Sequence, residues 1–179
     1  MSSLRIKWGA EGCLFQKRIT KGIAMNEELH AIYTQDQADR KGKINAGIQE
    51  YDRIRRQRVE ELLTAGSVQT ADDYFHAAMV FQHGEQLDDY WKAHELARKA
   101  AELGHSTGRW LTAASYDRWL MRQGKPQKYG TQYTKQNGSS YVLYEVDPTT
   151  TDEERAEWNV PSLAEAQQRA AEINKRDAR

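Results

Sequence analysis

The sequence predicts a mainly α fold, a bundle of about five antiparallel helices with one β-hairpin and a short C-terminal helical tail. Three observations carry this. Apolar residues recur at helical spacing from Leu29 to Met121, in runs that each stop at a glycine: Gly42, Gly66, Gly84, Gly104 and Gly124. After Pro126 the period changes to that of a strand. Thr151 with Glu154, and Ser162 with Glu165, then form capping-box patterns that open helices.

Each element has its own local reason. Asn26 is an N-cap, with Glu27 and Glu28 complementing the helix dipole. Leu29, Ile32, Tyr33, Asp36 and Arg40 follow on one face, so two charged groups continue an apolar stripe. A second helix is expected over 45–63, with the stripe Ile44, Ile48, Tyr51, Asp52, Arg55, Val59, Leu62 and Leu63. The basic run Arg53, Arg55, Arg56 and Arg58 within it reads as a solvated face. Thr70 caps a third helix whose segment Tyr74–Phe81 is apolar all round, the mark of a buried helix. Gln82 and His83 sit at its C-terminus. The fourth helix, about 88–103, carries the small-residue stripe Ala93, Ala97 and Ala100. The fifth, about 107–122, places Asp117 between Ala113 and Met121 in an apolar stripe.

Tyr129, Thr131 and Tyr133 then alternate with Gly130, Gln132 and Thr134. Asn137-Gly138 is the signal for a two-residue type I′ turn, which predicts a hairpin over 129–146. That turn would pair Tyr133 with Val142, Thr131 with Tyr144 and Tyr129 with Val146. A last helix runs along Leu163, Ala166, Ala170 and Ile173, and the end from Asn174 is expected to fray.

Length and composition bound the function. With 179 residues, 25–179 is expected to form a single domain and 1–24 a loosely ordered leader. Lys plus Arg equal Asp plus Glu at 26 each, which argues against a nucleic-acid or anionic-membrane partner. Mean hydropathy is −0.90, and no apolar run has the length of a spanning helix. Cys13 is alone, which excludes an intrachain disulfide and a cysteine zinc site, and a cytoplasmic protein is the default.

Two resemblances add to this. The stretch Asp89–His105 resembles the second helix of tetratricopeptide-like repeats, which implies peptide or protein binding. Asp36-Gln37 with Arg40, Gln82-His83, Tyr116-Asp117-Arg118 and the run Gln127-Lys128-Tyr129-Gly130-Thr131-Gln132 are together similar to an uncharacterised family of bacterial helical domains. That resemblance implies the architecture and no particular reaction.

No phosphate-binding glycine loop, nucleophile elbow, zinc-protease motif or EF-hand loop is present, and no cofactor is expected. His76 and His83 lie seven apart, about 10.5 Å along a helix, too far to share a metal, so no metal is expected either. His30, His94 and His105 read as surface residues. The informative feature is collective. Asp36, Arg40, Asp52, His83 and Asp117 each interrupt an apolar stripe, and Gln127, Tyr129 and Gln132 follow in one loop and strand. Inward charges must pair with one another or with a ligand.

Two readings stand. In one, the groups are a static network that fixes helix packing. In the other they line a polar site between the helical core and the hairpin. There His83 and Asp117 would be catalytic in hydrolase- or lyase-type proton transfer. Asp36, Arg40, Gln82, Arg118, Gln127, Tyr129 and Gln132 would bind a small molecule or peptide. The alternative is a non-catalytic tetratricopeptide-like module that takes a peptide or protein partner through Trp91, Trp110 and Trp119. The sequence leaves open whether the protein is an enzyme.

Overall fold

The computed structural model describes residues 24–41, 47–136, 138 and 140–177. Expectations for the leader, for Cys13, and for Gly42 and Ile44 at the start of the second helix fall outside them. The helices are α1 (Glu27–Ala38), α2 (Ile48–Thr64), α3 (Ala71–Gln82), α4 (Leu87–Glu102), α5 (Gly108–Arg122), α6 (Asp152–Glu157) and α7 (Leu163–Asp177). A two-stranded antiparallel hairpin, β1 (Tyr133–Gln136) and β2 (Ser140–Leu143), lies between α5 and α6. The protein is a helical bundle with a β-hairpin, and no helix among the described residues is long and apolar enough to cross a membrane.

The caps follow the local chemistry. Asn26 Oδ1 accepts from the Leu29 N–H, and Thr70–Asp73 and Thr151–Glu154 are complete capping boxes. Asp73 does more than cap. It is fully buried and accepts from the backbone N–H groups of Asn26, Gln69 and Thr70, which ties the start of α1 to the start of α3. Burial by itself would raise its carboxyl, but the hydrogen bonds from Thr70, Asn26 and Gln69 outweigh that and hold it below the ordinary range.

α3 is the central helix and packs against α1, α2, α4 and α5. Its Ala77, Ala78, Val80 and Phe81 join Leu29, Val59, Leu62, Leu96, Ala97 and Leu111 in the main core. This is why its sequence is apolar all round. α4 and α5 approach closely because Gly108 faces Ala101: a Cβ there would lie 2.7 Å from the Ala101 backbone nitrogen. A second, smaller core of Ala113, Tyr129 and Val160, flanked by Tyr116 and Trp158, holds the loop after α5 and the turn after α6.

The hairpin corrects the expected register. Tyr133 faces Leu143 and Thr134 faces Val142, one residue off the pairing that a two-residue turn imposes, so three residues (137–139) connect the strands. Gly138 takes the left-handed conformation, φ 75°, inside that longer turn. The physical reason lies at the other end of the ribbon. Gln127 accepts from the Gln132 N–H and donates to the Gln132 and Tyr144 carbonyls, so it sets Gln132 opposite Tyr144. Tyr129 and Thr131 lie outside the ladder, and Val146 pairs instead with Gln127, in parallel. The expected fraying from Asn174 is also corrected. α7 continues to Asp177, and the Asn174 side chain exchanges hydrogen bonds of 2.7 and 2.8 Å with both backbone groups of Tyr141, covering the edge of β2.

Candidate functional site

The site is built on helix ends. Asp36 stands in the last turn of α1 and is completely buried. Its Oδ1 accepts from Arg40 Nη1 at 2.8 Å and its Oδ2 from Gln37 Nε2 at 2.8 Å. Arg40 reaches across to α2, where Nη2 donates to Asp52 Oδ2 at 2.6 Å. Arg55 holds the other oxygen of Asp52 at 3.1 Å and pairs as well with Asp39. The i,i+4 spacing places Arg40, just past the end of α1, over Asp36, and the i,i+3 spacing places Arg55 over Asp52 within α2. Only packing of α1 on α2 crosses the two pairs. Arg55 and Arg56, read from sequence as part of a solvated face, are corrected. Their side chains are only 11% exposed because both turn toward carboxylates, Arg56 toward Asp89.

His83 is the C-cap of α3 and completes this network. Its Nδ1 lies 3.0 Å from Asp36 Oδ2. Its Nε2 has no hydrogen-bond partner among the described residues, and the side chain is 18% exposed. The histidine is therefore oriented by Asp36, on α1.

Asp117 is corrected as its catalytic partner. Its two oxygens accept four hydrogen bonds: from the N–H groups of Lys128, Tyr129 and Thr131 and from the Thr131 hydroxyl, at 2.8–3.0 Å. A carboxylate has about four lone-pair sites, so none is left for His83. Burial pushes the Asp117 carboxyl above its ordinary value, while the bonds from Tyr129, Thr131 and Lys128 pull it down. Asp117 is the post that winds the chain into a loop after α5. Gly130 at φ 90° allows the turn within it. Tyr129 is 8% exposed and packs in the second core, and burial next to Asp117 pushes its hydroxyl up to about 12. Gln127 is likewise spent on the hairpin.

Arg118 joins the two halves. Its Nη1 donates to the Gln82 carbonyl at 2.8 Å and its Nε to Gln132 Oε1 at 3.0 Å, while Gln132 Nε2 bonds Ala114 and Thr131. Asp36, Arg40, Gln82, His83, Arg118 and Gln132 thus meet along one seam, and Asp117 and Gln127 brace it from behind. Sequence reasoning missed Arg155. It is 2% exposed and donates to the carbonyls of Tyr129 and Thr150 and to Asp152. Its only signal, an i,i+3 pair with Asp152 on a short polar helix, looks like a surface ion pair.

Other histidines are corrected too. His94 is half-buried with Nδ1 3.0 Å from the Thr112 carbonyl oxygen, and His105 stacks on Phe75 with ring centroids 3.9 Å apart. Burial pushes the imidazoles of His76, His94 and His105 down. No group of three or more His, Cys, Asp or Glu among the described residues could hold a metal ion. A cleft of about 670 Å³ opens between Trp110 of α5, Thr131 and Tyr133 of the hairpin segment, and Ala166, Arg169 and Ile173 of α7, and none of the six seam residues lines it. Compared with protein-family models, curated proteins and solved structures, the chain shows no significant match.

Proposed function

We propose that this chain acts on a small polar molecule at the seam between the helical core and the hairpin loop, with His83 moving a proton as general acid or base. The observation that carries the reading is the Asp36–His83 contact of 3.0 Å. A buried carboxylate beside Nδ1 keeps that nitrogen protonated and fixes the ring, so the lone pair sits on Nε2. Nε2 is the nitrogen without a hydrogen-bond partner among the described residues. No serine or cysteine is hydrogen-bonded to His83 among the described residues, which favours a hydrolase- or lyase-type step through an activated water over covalent catalysis. Arg40 and Gln37 hold Asp36 in place through their hydrogen bonds, as positioning residues.

The test is a mixed panel of soluble metabolites, followed by mass spectrometry, with wild type, His83→Gln and Asp36→Asn. The expected result is turnover lost in His83→Gln and reduced at least about tenfold in Asp36→Asn, with His83→Gln within about 2 kcal/mol of wild-type stability. Turnover that survives His83→Gln, or collapse of its fold, overturns the reading. The non-catalytic module is the second reading, favoured by the 670 Å³ cleft with Trp110, itself 39% exposed, on its wall. A peptide library that binds wild type and not Trp110→Ala, together with no turnover, would select it.

A further inference from the structure

Five arginines meet around the end of α3, and four aspartates answer them. Arg40 pairs with Asp36 and Asp52, Arg55 with Asp52 and Asp39, and Arg56 with Asp89. Arg118 has no carboxylate among the described residues, although burial is strong enough to lower its pKa and the charges of Arg122 and Arg40 add to that. Arg122, one turn further along α5, also lacks one; it lies 5.5 Å over the Tyr90 ring. A half-buried guanidinium stays charged at neutral pH, and leaving it without a counter-ion costs free energy that a bound anion recovers.

We propose that Arg118 anchors a binding site for the phosphate group of a small hydroxylated phosphate monoester, completed by Arg122. The type of anion follows from the charge to be answered. Arg118 uses two of its five N–H groups, Nε on Gln132 and one of Nη1 on the Gln82 carbonyl, so one N–H on Nη1 and two on Nη2 remain. With Arg122 one turn further along α5, two guanidinium charges lack a carboxylate among the described residues, and a doubly charged phosphate answers both where a single carboxylate answers one. The hydroxyl follows from Gln82. Its side-chain Oε1 is buried, has no partner, and belongs to the residue before His83. An orphan acceptor beside an anion site calls for a donor on the same ligand. This inference does not depend on His83 acting as a base, because it is read by binding alone.

Titration calorimetry at constant ionic strength tests it, with sodium chloride, inorganic phosphate and glycerol 3-phosphate as probes. The expected order is glycerol 3-phosphate roughly fivefold or more tighter than phosphate, and no saturable chloride binding. Arg118→Gln is expected to weaken phosphate about tenfold or more. Arg122→Glu sets a carboxylate one turn from Arg118 at an exposed position. It is expected to abolish phosphate binding and raise the thermal midpoint. Chloride matching phosphate, or unchanged phosphate binding in Arg118→Gln, overturns the site. If Arg118→Gln does not fold, Arg122→Glu decides, and unchanged phosphate affinity there overturns the site. Equal affinity for phosphate and glycerol 3-phosphate overturns the assignment of a hydroxylated ester.

Discussion

Replacing Asp117 by Asn is the most direct test of how the loop after α5 is built. The carboxylate accepts from three backbone N–H groups and one hydroxyl. An asparagine of the same shape keeps one acceptor oxygen and turns the other into a donor. Whichever way the amide lies, one oxygen's pair of donors loses its acceptor. If the amide nitrogen faces Thr131, the hydroxyl can rotate and accept from it, and the Thr131 N–H alone is stranded. If it faces Lys128 and Tyr129, two backbone N–H groups are stranded, so the first arrangement is preferred. A buried donor left unpaired costs about 1–3 kcal/mol, and the lost charge-assisted bonds add about as much again. Removing a carboxylate whose pKa is raised by burial returns part of this. The net expectation is a loss of about 2–4 kcal/mol, measured by urea unfolding with circular dichroism and tryptophan fluorescence together. Amide exchange should quicken at Lys128, Tyr129 and Thr131 and spread to the hairpin. A loss below about 1 kcal/mol, with those amides still protected, would refute the claim that Asp117 is a structural anchor.

Two further outcomes follow from the packing and the histidines. Gly108→Ala places a methyl 2.7 Å from the Ala101 backbone nitrogen, so despite better helix propensity it should destabilise by about 1–3 kcal/mol, seen as a lower thermal midpoint. His76, His94 and His105 have folded pKa values below the ordinary one, so between the two values the unfolded chain binds more protons. Their contribution is complete above about pH 6.5 and is lost as pH falls toward the folded values, so urea unfolding at pH 6 should give less stability than at pH 8, by no more than about 0.8 kcal/mol per histidine. Stability that rises on this acidification would contradict the burial of the three rings.

The sequence by itself determined the helices, their caps and the faces that turn inward, because those are settled within a few residues. Thr70 meets Asp73 and Thr151 meets Glu154 inside one turn. A charge such as Asp36 or Asp117 in an apolar stripe announces burial wherever the helix goes. Helical periodicity names the face and not the neighbour across it. Only the tertiary structure decided that Asp36, 47 residues away, and not Asp117 orients His83. It also decided that Gln127, and not the Asn137-Gly138 turn, sets the hairpin register. Arg118 was legible as a binding candidate beside Asp117, while its want of a carboxylate depends on where Asp36, Asp39, Asp52 and Asp89 come to rest. Hydrogen bonds between distant segments follow from packing, because each donor takes whichever acceptor the docked helices bring within about 3 Å.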